Sequence, residues 1–320
     1  MLDTLTARLM TAGAVGVIAQ RRDGDAVEAV AAGRAALDPG TGPPDVAGHF
    51  RIGSVTKTFT ATVVLQLLHR DLDRPVTRWL PAVGDDRITL RHLLTHRSGL
   101  HNYTDDLTDP GAIVAGRDTR WAAWDLVAPA LTRPRHFGPG ADRAYCNTGF
   151  LLLGLVVERL TGRGWAAEIT DRIFDPLGLR GTSIGAVRLP APHARAYLTV
   201  EGRAVDVTTF DPSRAGAAGG LVSTLADVNR FYRALLGGDL LPPDALASMR
   251  AEGLGLDRHE TPGGPVFGHD GGFFGFQTRS WHSLDGRRQL TLSVTTAGTG
   301  ALPPTEELVA ADVGWPPALA

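Results

Sequence analysis

The chain begins and ends with segments in which apolar and β-favouring residues cluster. At the amino end, residues 12–20 and 26–33 form two such runs around a short polar turn, which predicts a β-hairpin. At the other end, residues 273–283 and 289–296 flank an Asp-Gly turn and predict a second antiparallel hairpin. In its last strand apolar residues alternate with polar ones, which is the pattern of a strand buried on one face.

Between the two hairpins, apolar residues recur mainly at helical spacing. Residues 49–53 predict a short strand, and from Ser54 onward a stripe through Phe59, Val63 and Leu67 predicts a helix. Gly, Pro and Asp residues separate the helices that follow, which are predicted at 89–95, 119–131, 148–160 and 165–174. A further helix is predicted to start at a Thr224 cap and to end before Gly237.

This order of elements predicts an α+β protein. Strands at both chain ends, with helices between them, imply one antiparallel sheet that both ends share and that helices flank. We expect residues 1–53 and 195–320 to form an α/β lobe around that sheet, and residues 54–194 to form a mainly helical lobe. A functional site is expected at the seam between the lobes.

Composition excludes several classes of function. The 32 basic and 34 acidic residues give a net charge of −2, which argues against a nucleic-acid partner or an anionic membrane surface. The single cysteine, Cys146, permits neither an intrachain disulfide nor a thiolate metal site. The longest apolar stretch, residues 150–157, is far shorter than the roughly 20 residues of a membrane span. No signal-peptide pattern opens the chain, so a cytoplasmic protein is expected.

One basic residue differs from all the others. Lys57 is the only lysine, and the other 31 basic residues are arginines. Arginine stays protonated at any working pH, whereas a buried lysine can lose its proton and act as a base. Lys57 is therefore a candidate catalytic residue, and a structural lysine retained by chance is the alternative.

Ser54 precedes this lysine by three positions, at the junction of the strand and helix patterns. Positions three apart on a helix share a face, so Ser54 Oγ and Lys57 Nζ are expected within hydrogen-bond reach. The backbone N–H of Ser54 would be free in the first turn and could face an oxyanion. The alternative, an N-cap serine and a solvated lysine, fits poorly because a cation in the first turn is disfavoured by about 0.3–1 kcal/mol.

Two further motifs carry polar groups that could take part in catalysis. Tyr145-Cys146-Asn147 precedes a predicted helix, and in an extended segment its phenol and amide project together. Near a cation the phenol is expected to lose its proton more readily than its reference pKa of about 10 suggests. Gly268-His269-Asp270-Gly271-Gly272 leads into the final hairpin, where glycines let another backbone approach closely. Taken alone, each motif also fits a structural role.

In this order, the three motifs resemble those of the penicillin-recognising serine hydrolases, which include class C β-lactamases, D-alanyl-D-alanine carboxypeptidases and related esterases. The resemblance extends to the blocks at residues 50–61, 93–100, 176–179 and 219–224, and it covers about residues 13 to 296. It implies the β-lactamase/transpeptidase-like α+β fold, with the active site at the seam. It also implies an acyl-enzyme mechanism without metal or cofactor.

The same resemblance implies roles for individual residues. Ser54 would be the nucleophile, Lys57 and Tyr145 the shared general base, and Asn147 a hydrogen-bond donor to the substrate amide. His269 and Gly271 match the substrate-binding third motif. The oxyanion hole would consist of the backbone N–H groups of Ser54 and Gly272, and two such donors lower the barrier by several kcal/mol.

The third motif departs from the pattern of many β-lactamases. His269 stands where lysine is frequent, and Asp270 stands where a small hydroxyl residue is common. An aspartate facing the substrate carboxylate of a β-lactam or a D-Ala-D-Ala terminus would repel it, and no signal peptide is predicted. The sequence therefore favours a small-molecule or peptide substrate with an amide or ester bond, inside the cell, over a β-lactam.

Parts of the sequence also match two other kinds of site. Gly181-Thr182-Ser183-Ile184-Gly185 matches the nucleophile elbow of α/β-hydrolases, with Asp211 and His269 downstream, but the flanking residues predict neither the buried strand nor the helix that an elbow needs. Three histidines could suggest a metal site: His92, His96 and His101. Without the glutamate of a His-Glu-x-x-His motif, a structural role is favoured for them.

Two other functions remain open for the proposed nucleophile. A transacylase would pass the acyl group to an amine or alcohol, and the serine alone does not distinguish it from a hydrolase. A non-catalytic binding module is a more remote alternative, because the chain retains the complete set of polar groups. Tyr103, Trp121 and Trp124 are candidates to line the pocket, although core packing is the commoner role of tryptophan.

Overall fold

Strands from both chain ends lie in one antiparallel sheet. In the computed structural model, which describes residues 2–298, its strands are β1 (Ala14–Asp23), β2 (Ala26–Gly33), β8 (Asp257–His259), β9 (Val266–Phe273), β10 (Phe276–Ser283) and β11 (Arg288–Thr296). They are arranged in the order β2-β1-β11-β10-β9-β8. Strand β1 pairs with β11, with Val17 opposite Val294, which confirms that both ends share one sheet.

Shorter strands and helices fill the chain between these ends. Two small antiparallel sheets consist of β3 (Phe50–Arg51), β7 (Leu221–Ser223) and β4 (Ser183–Ile184), and of β5 (Tyr197–Val200) and β6 (Arg203–Asp206). The helices are α1 (Leu2–Thr11), α2 (Thr56–Leu68), α3 (Leu90–Leu94), α4 (Pro110–Ala115), α5 (Ala123–Thr132), α6 (Asn147–Thr161), α7 (Trp165–Ile169), α8 (Asp175–Leu177), α9 (Gly216–Gly219), α10 (Leu225–Gly237) and α11 (Pro243–Glu252). Within residues 2–298, no helix is long and apolar enough to cross a bilayer.

These elements confirm the predicted α+β class, with an antiparallel sheet from both chain ends, flanking helices and a mainly helical middle. The helix predicted at 119–131 begins only at Ala123, and five helices were not predicted: α1, α4, α8, α9 and α11. The lobe boundaries at residues 53/54 and 194/195 stay a prediction, and the predicted end of the second segment at residue 320 lies outside the described residues.

Both faces of the main sheet are covered. Helix α1 packs Leu5 against one face, where it meets Val17 of β1, whereas the adjacent Ile18 points to the other face and joins the core around α2. Strand β11 is buried on both faces, not on one face as its alternation predicted. Its polar face contacts α10, where Thr291 Oγ1 donates to Asn229 Oδ1 at 2.6 Å.

Helix α2 is the central helix of the molecule. Residues 56–65 are completely buried, and the ring of Phe59 stacks on Phe231 of α10 with 3.6 Å between centroids. Polar residues on a helix buried on every side need internal partners, and Thr60 Oγ1 donates to the carbonyl oxygen of Ala217 at 2.7 Å. The packing fixes the start of this helix, where Ser54 lies.

The glycine-rich third motif forms part of a strand. The single strand predicted at 273–283 is divided, because β9 ends at Phe273, Gly275 turns the chain with a φ of +79°, and β10 begins at Phe276. His269 is consequently paired with Ser280 across the sheet. The motif therefore has the fixed geometry of a sheet and not that of a loop leading into a hairpin.

Candidate active site

Ser54 lies at the start of the central helix, where strand β9 packs closely against it. A 3₁₀ turn leads directly into α2. Gly53 in this turn has a φ of +52°, and a Cβ there would lie 2.5 Å from the carbonyl oxygen of Gly272. A Cβ at Gly271 would lie 2.0 Å from the carbonyl oxygen of Ile52. Glycine at both positions therefore allows the backbone of β9 to approach the helix start.

This close approach brings together the two backbone segments of the predicted oxyanion hole. Ser54 and Gly272 line the same cleft, and no atom lies within 4 Å of the position that a Cβ on Gly272 would occupy. Donation by their N–H groups stays a prediction that this geometry supports.

Lys57 is completely buried and points at Ser54. Its Nζ donates to Ser54 Oγ at 3.0 Å, to Asn147 Oδ1 at 2.7 Å and to the carbonyl oxygen of Ala218 at 2.6 Å. The amide and carbonyl oxygens can only accept, so they hold two N–H bonds whether the amine is charged or neutral. When the amine is neutral, its lone pair must face Ser54 Oγ, as a general base requires.

The surroundings of this amine favour its neutral form. Burial lowers the pKa of Lys57 to about 7, against an opposing effect from Cys146 and Asp257. Two aromatic ring faces partly offset the effect of burial because they attract an ammonium, with Nζ 4.8 Å from the ring centroid of Tyr145 and 5.4 Å from that of Phe150, but burial remains the largest influence. Near neutral pH, a substantial fraction of Lys57 can therefore accept the proton of Ser54.

Tyr145 donates its hydroxyl hydrogen to Ser54 Oγ at 2.6 Å. The residue as a whole is 44 % exposed, but its hydroxyl end is enclosed by the site, and this burial raises its pKa. The expectation that the neighbouring cation would make this phenol more acidic is wrong, because desolvation of the phenolate outweighs the hydrogen bond with Ser54, which alone lowers the pKa. Tyr145 is thus held as a phenol, ready to donate a proton.

His96 supports the ring of Tyr145. The two ring centroids are 4.5 Å apart, and the backbone N–H of Cys146 donates to His96 Nδ1 at 3.1 Å. Burial lowers the pKa of His96 well below its usual value, so the imidazole is neutral. The residue adopts a φ of +59°, which is uncommon outside glycine.

Asn147 orients the lysine. Because Nζ donates to its Oδ1, its Nδ2 faces the other way, where it donates to Asn102 Oδ1 at 3.2 Å and to Thr104 Oγ1 at 3.0 Å. Both amide hydrogens therefore have protein partners. The predicted donation from Asn147 to a substrate amide stays a prediction and requires one of these bonds to be exchanged.

His269 and Asp270 lie on opposite faces of β9. His269 is buried beside Tyr145, with 6.3 Å between ring centroids, and its Nε2 lies 3.8 Å from Asp257 Oδ2. Burial lowers its pKa despite that carboxylate. The Asp270 carboxylate accepts from Trp281 Nε1 at 3.0 Å and pairs with Arg279 at 3.2 Å, so its charge is compensated within the protein.

Two clefts meet at Ser54. One, of about 280 Å³, we call the Arg214 cleft, and it is lined among others by Tyr103, Leu107, Asn147, Arg214, Gly272 and Phe273. The other, more open and about 570 Å³, we call the Asp257 cleft, and it is lined among others by Tyr145, Asp257, His269, Asp270, Gly271 and Arg279. A substrate bound to Ser54 can therefore place its two halves in different clefts.

The rival nucleophile elbow does not form. Ser183 lies in the two-residue strand β4, and no helix follows it directly. Asp211 caps a 3₁₀ turn by accepting from the backbone N–H of Ser213 at 2.9 Å, and His269 lies beside Tyr145. The three residues of that hypothesis therefore have separate structural settings.

The three histidines that could suggest a metal site also have separate roles. His92 takes part in the cap of α3 through the backbone N–H of Thr89, and His96 supports Tyr145. In the described part of the chain, His101, Asp105 and His136 have ligand atoms within 4.8 Å of one another and could hold a metal ion. His101 lies next to Asn102 in sequence, at the edge of the site.

Sequence patterns missed several residues that shape the site. Asn102, Arg214 and Asp257 lie outside the three motifs and the family-like blocks, whereas His96 was expected to be structural or a metal ligand, and each reaches the site by tertiary contact. The one available signal was that His96 falls within the family-like block at 93–100. Of the predicted pocket aromatics, Tyr103 lines the Arg214 cleft and donates to the carbonyl oxygen of Arg214 at 2.6 Å.

A serine at a helix start, touched by a buried lysine and a tyrosine and flanked by a sheet strand, defines the class of penicillin-recognising serine hydrolases. The chain belongs to the Beta-lactamase family, whose sequence pattern it matches over residues 2–312. The resemblance on the three motifs is thereby confirmed at the family level.

Its relatives include enzymes named for D-amino acid substrates. The chain is 31 % identical to a D-aminopeptidase of Cereibacter sphaeroides. The match covers 86 % of this chain and 55 % of that protein, so the chain spans about half the length of the curated relatives it matches. It is 36 % identical to a D-stereospecific amidohydrolase from Streptomyces sp., with a TM-score of 0.86 and coverage of 96 % and 97 % of the two chains. A D-amino acid amidase from Ochrobactrum anthropi SV3, solved with D-phenylalanine, is 27 % identical, with a TM-score of 0.81 and coverage of 93 % and 92 %.

Proposed function

We propose that the chain hydrolyses the amide or ester bond of small D-amino acid derivatives through an acyl-enzyme on Ser54. The observation that carries the proposal is the convergence of Lys57 Nζ and Tyr145 OH on Ser54 Oγ, at 3.0 and 2.6 Å. The preference for D-configured substrates rests on the names of the relatives and structures described above.

The first step is attack by the serine. Neutral Lys57 removes the hydroxyl proton of Ser54, and the oxygen bonds to the carbonyl carbon of the substrate. The negative charge that develops on the carbonyl oxygen is stabilised by the N–H groups of Ser54 and Gly272 and by the positive end of the helix behind them. The lysine is now an ammonium, held by Asn147 Oδ1 and the Ala218 carbonyl.

The second step is departure of the leaving group. Tyr145 lines the Asp257 cleft but not the Arg214 cleft, so its phenol can protonate a leaving nitrogen or oxygen on that side. The C–N or C–O bond breaks, the ester with Ser54 forms, and Lys57 returns a proton to the phenolate. Water then enters from the vacated Asp257 cleft, and the same proton transfers in reverse release the acid.

The charges in the Asp257 cleft favour an uncharged leaving group. Asp270 lines this cleft and is paired with Arg279, while Asp257 lies 3.4 Å from Arg143. Both arginines already have carboxylate partners, so a leaving group that carries its own carboxylate would compete with those pairs. Ammonia, a small amine or an alcohol avoids that competition, which supports amide and ester substrates over β-lactams.

The test compares the two enantiomers of one small amide. Ammonia release from D-alanine amide and L-alanine amide is measured with the wild-type chain, Ser54→Ala and Ser183→Ala. We expect the D enantiomer to react at least about tenfold faster than the L enantiomer, Ser54→Ala to lose the activity and Ser183→Ala to keep it. Equal rates for the enantiomers would remove the D preference, and turnover that survives Ser54→Ala would contradict the proposed nucleophile.

A further inference from the structure

Arg214 is buried in the wall of the Arg214 cleft without a charged partner. Its residue is 9 % exposed, and its Nε is buried with no hydrogen-bond partner. Within residues 2–298, its side chain makes no hydrogen bond or ion pair. A guanidinium in this position keeps only part of its hydration and gains no carboxylate in return.

Its surroundings hold the guanidinium without neutralising it. The guanidinium carbon lies 5.2 Å from the ring centroid of Trp121, and the backbone carbonyl of Arg214 accepts from Tyr103 OH. A Cβ on Gly116 would lie 2.8 Å from its Nη2, so the side chain runs beside the end of α4. These contacts fix the plane and direction of the Arg214 guanidinium, and burial lowers the pKa of Arg214.

The rest of the Arg214 cleft supplies no negative charge. Among the described residues that line it, Arg214 is the only charged one, and the others are small, apolar or neutral polar side chains, such as Leu107, Phe273 and Phe274. A partly desolvated cation without a carboxylate partner gains more from an anion than a fully hydrated one, so an anion brought by a ligand would be bound with little competition from the protein. Arginine's planar fork suits a carboxylate in particular, which it can bind through two parallel hydrogen bonds.

The position of the cleft identifies which half of the substrate carries that anion. Asn147 lines the Arg214 cleft but not the Asp257 cleft, whereas Tyr145, whose phenol serves the leaving group, lines only the Asp257 cleft. The acyl half, which stays on Ser54 after the bond breaks, therefore occupies the Arg214 cleft. This assignment rests on the proposed function.

We propose that Arg214 binds a carboxylate on the acyl half of the substrate, so that the preferred substrates are amides or esters of acidic D-amino acids such as D-glutamate. The acyl chain contacts the apolar wall at Leu107 and Phe273, and its terminal carboxylate pairs with the guanidinium over Trp121. The residue determines specificity and takes no part in proton transfer.

The test uses two substrates that differ only in one charge. D-glutamic acid α-amide and D-glutamine α-amide have the same shape, with a side-chain carboxylate in one and a carboxamide in the other. We expect the wild-type chain to show a kcat/KM at least about tenfold higher for the acidic amide. Arg214→Gln should reduce this ratio to near one by lowering the value for the acidic amide, and Arg214→Lys should retain part of it.

The matched control is Arg230→Gln, which removes one exposed arginine from α10 and should leave the ratio unchanged. A wild-type ratio near one, or an unchanged ratio in Arg214→Gln, would overturn the proposal. If Arg214→Gln does not fold, the products are compared on the wild-type chain: D-glutamate should raise Tm more than D-glutamine, and equal shifts would overturn it. Failure of the proposed function is distinguishable, because then neither amide is hydrolysed while the product comparison still reports on Arg214.

Discussion

Lys57 shows that the one lysine in a chain whose other basic residues are all arginines can indicate a catalytic role. Surface charge tolerates replacement of lysine by arginine, but a base that must be neutral near pH 7 does not, because arginine stays protonated. The structure gives the physical reason for the retained amine. The amine is completely buried. The amide oxygen of Asn147 and the carbonyl oxygen of Ala218 can only accept hydrogen bonds, so they occupy two of its bonding positions and leave the third for Ser54.

The lowered pKa of Lys57 predicts the pH dependence of acylation. Below about pH 7 the amine is protonated and cannot accept the serine proton, so the rate should fall about tenfold per pH unit, whereas above that pH it should level off. Phosphonylation of Ser54 by a fluorophosphonate, which has no titrating group, measures this directly. A rate that is flat between pH 5 and pH 8 would show that Lys57 is not the base.

Tyr145 is predicted to act on the leaving group and not on the nucleophile. Tyr145→Phe should lower kcat/KM for an amide by about 10²- to 10⁴-fold, because amine departure needs a proton. With a p-nitrophenyl ester of the same acyl group the loss should stay below about tenfold, since that leaving group departs as an anion. The ester is the internal control. Equal losses on both substrates would instead assign Tyr145 to the attack step.

At the level of elements, the site depends on the contact between β9 and the start of α2. Local patterns predicted the change from strand to helix at Ser54, because strand and helix periodicities differ over a few residues. They did not predict that the third motif lies within a strand, since its glycines also fit a turn. The reason for Gly271 is the nearby backbone of Ile52, and the reason for Gly268 is the backbone of Ser280 on the adjacent strand, neither of which a local pattern reveals.

Gly271→Ala is predicted to disrupt this contact. The added Cβ would lie 2.0 Å from the Ile52 carbonyl oxygen, so β9 must move away from the helix start and carry the Gly272 N–H with it. Loss of one oxyanion donor lowers kcat by about 10²- to 10³-fold, with a smaller effect on KM. Gly164→Ala is the control, because a Cβ there meets nothing within 4 Å. A Gly271→Ala variant with wild-type kcat would contradict this account.

At the level of the whole molecule, the sharing of one sheet by both ends was predictable, because two terminal hairpins around a helical middle leave few other arrangements. The contributions of residues such as Asn102, Asp257 and Arg214 to the site were not predictable. Each is distant in sequence from the groups it contacts, and nothing in its neighbouring residues distinguishes it from other polar surface residues. Helix α1 was also missed, because its short apolar stripe can be recognised as a packing face only when the sheet against which it packs is known.

Helix α1 is predicted to stabilise the fold without affecting the chemistry. Leu5→Ala, which empties a buried position against the sheet, should lower the free energy of unfolding by about 2–5 kcal/mol. Because α1 covers the face opposite the α2 core, kcat/KM of the folded protein should be unchanged. Thr4→Ala, at an exposed position of the same helix, should have little effect on either quantity. Denaturant unfolding and steady-state kinetics together check this, and a large loss of kcat/KM in folded Leu5→Ala would refute it.

The central claim is that Ser54 is the nucleophile, and intact-protein mass spectrometry after incubation with a fluorophosphonate tests it most directly. The wild-type chain and Ser183→Ala should each gain the mass of one phosphonyl group, and Ser54→Ala should gain none. An adduct that persists in Ser54→Ala, or one that is lost only in Ser183→Ala, would contradict the account.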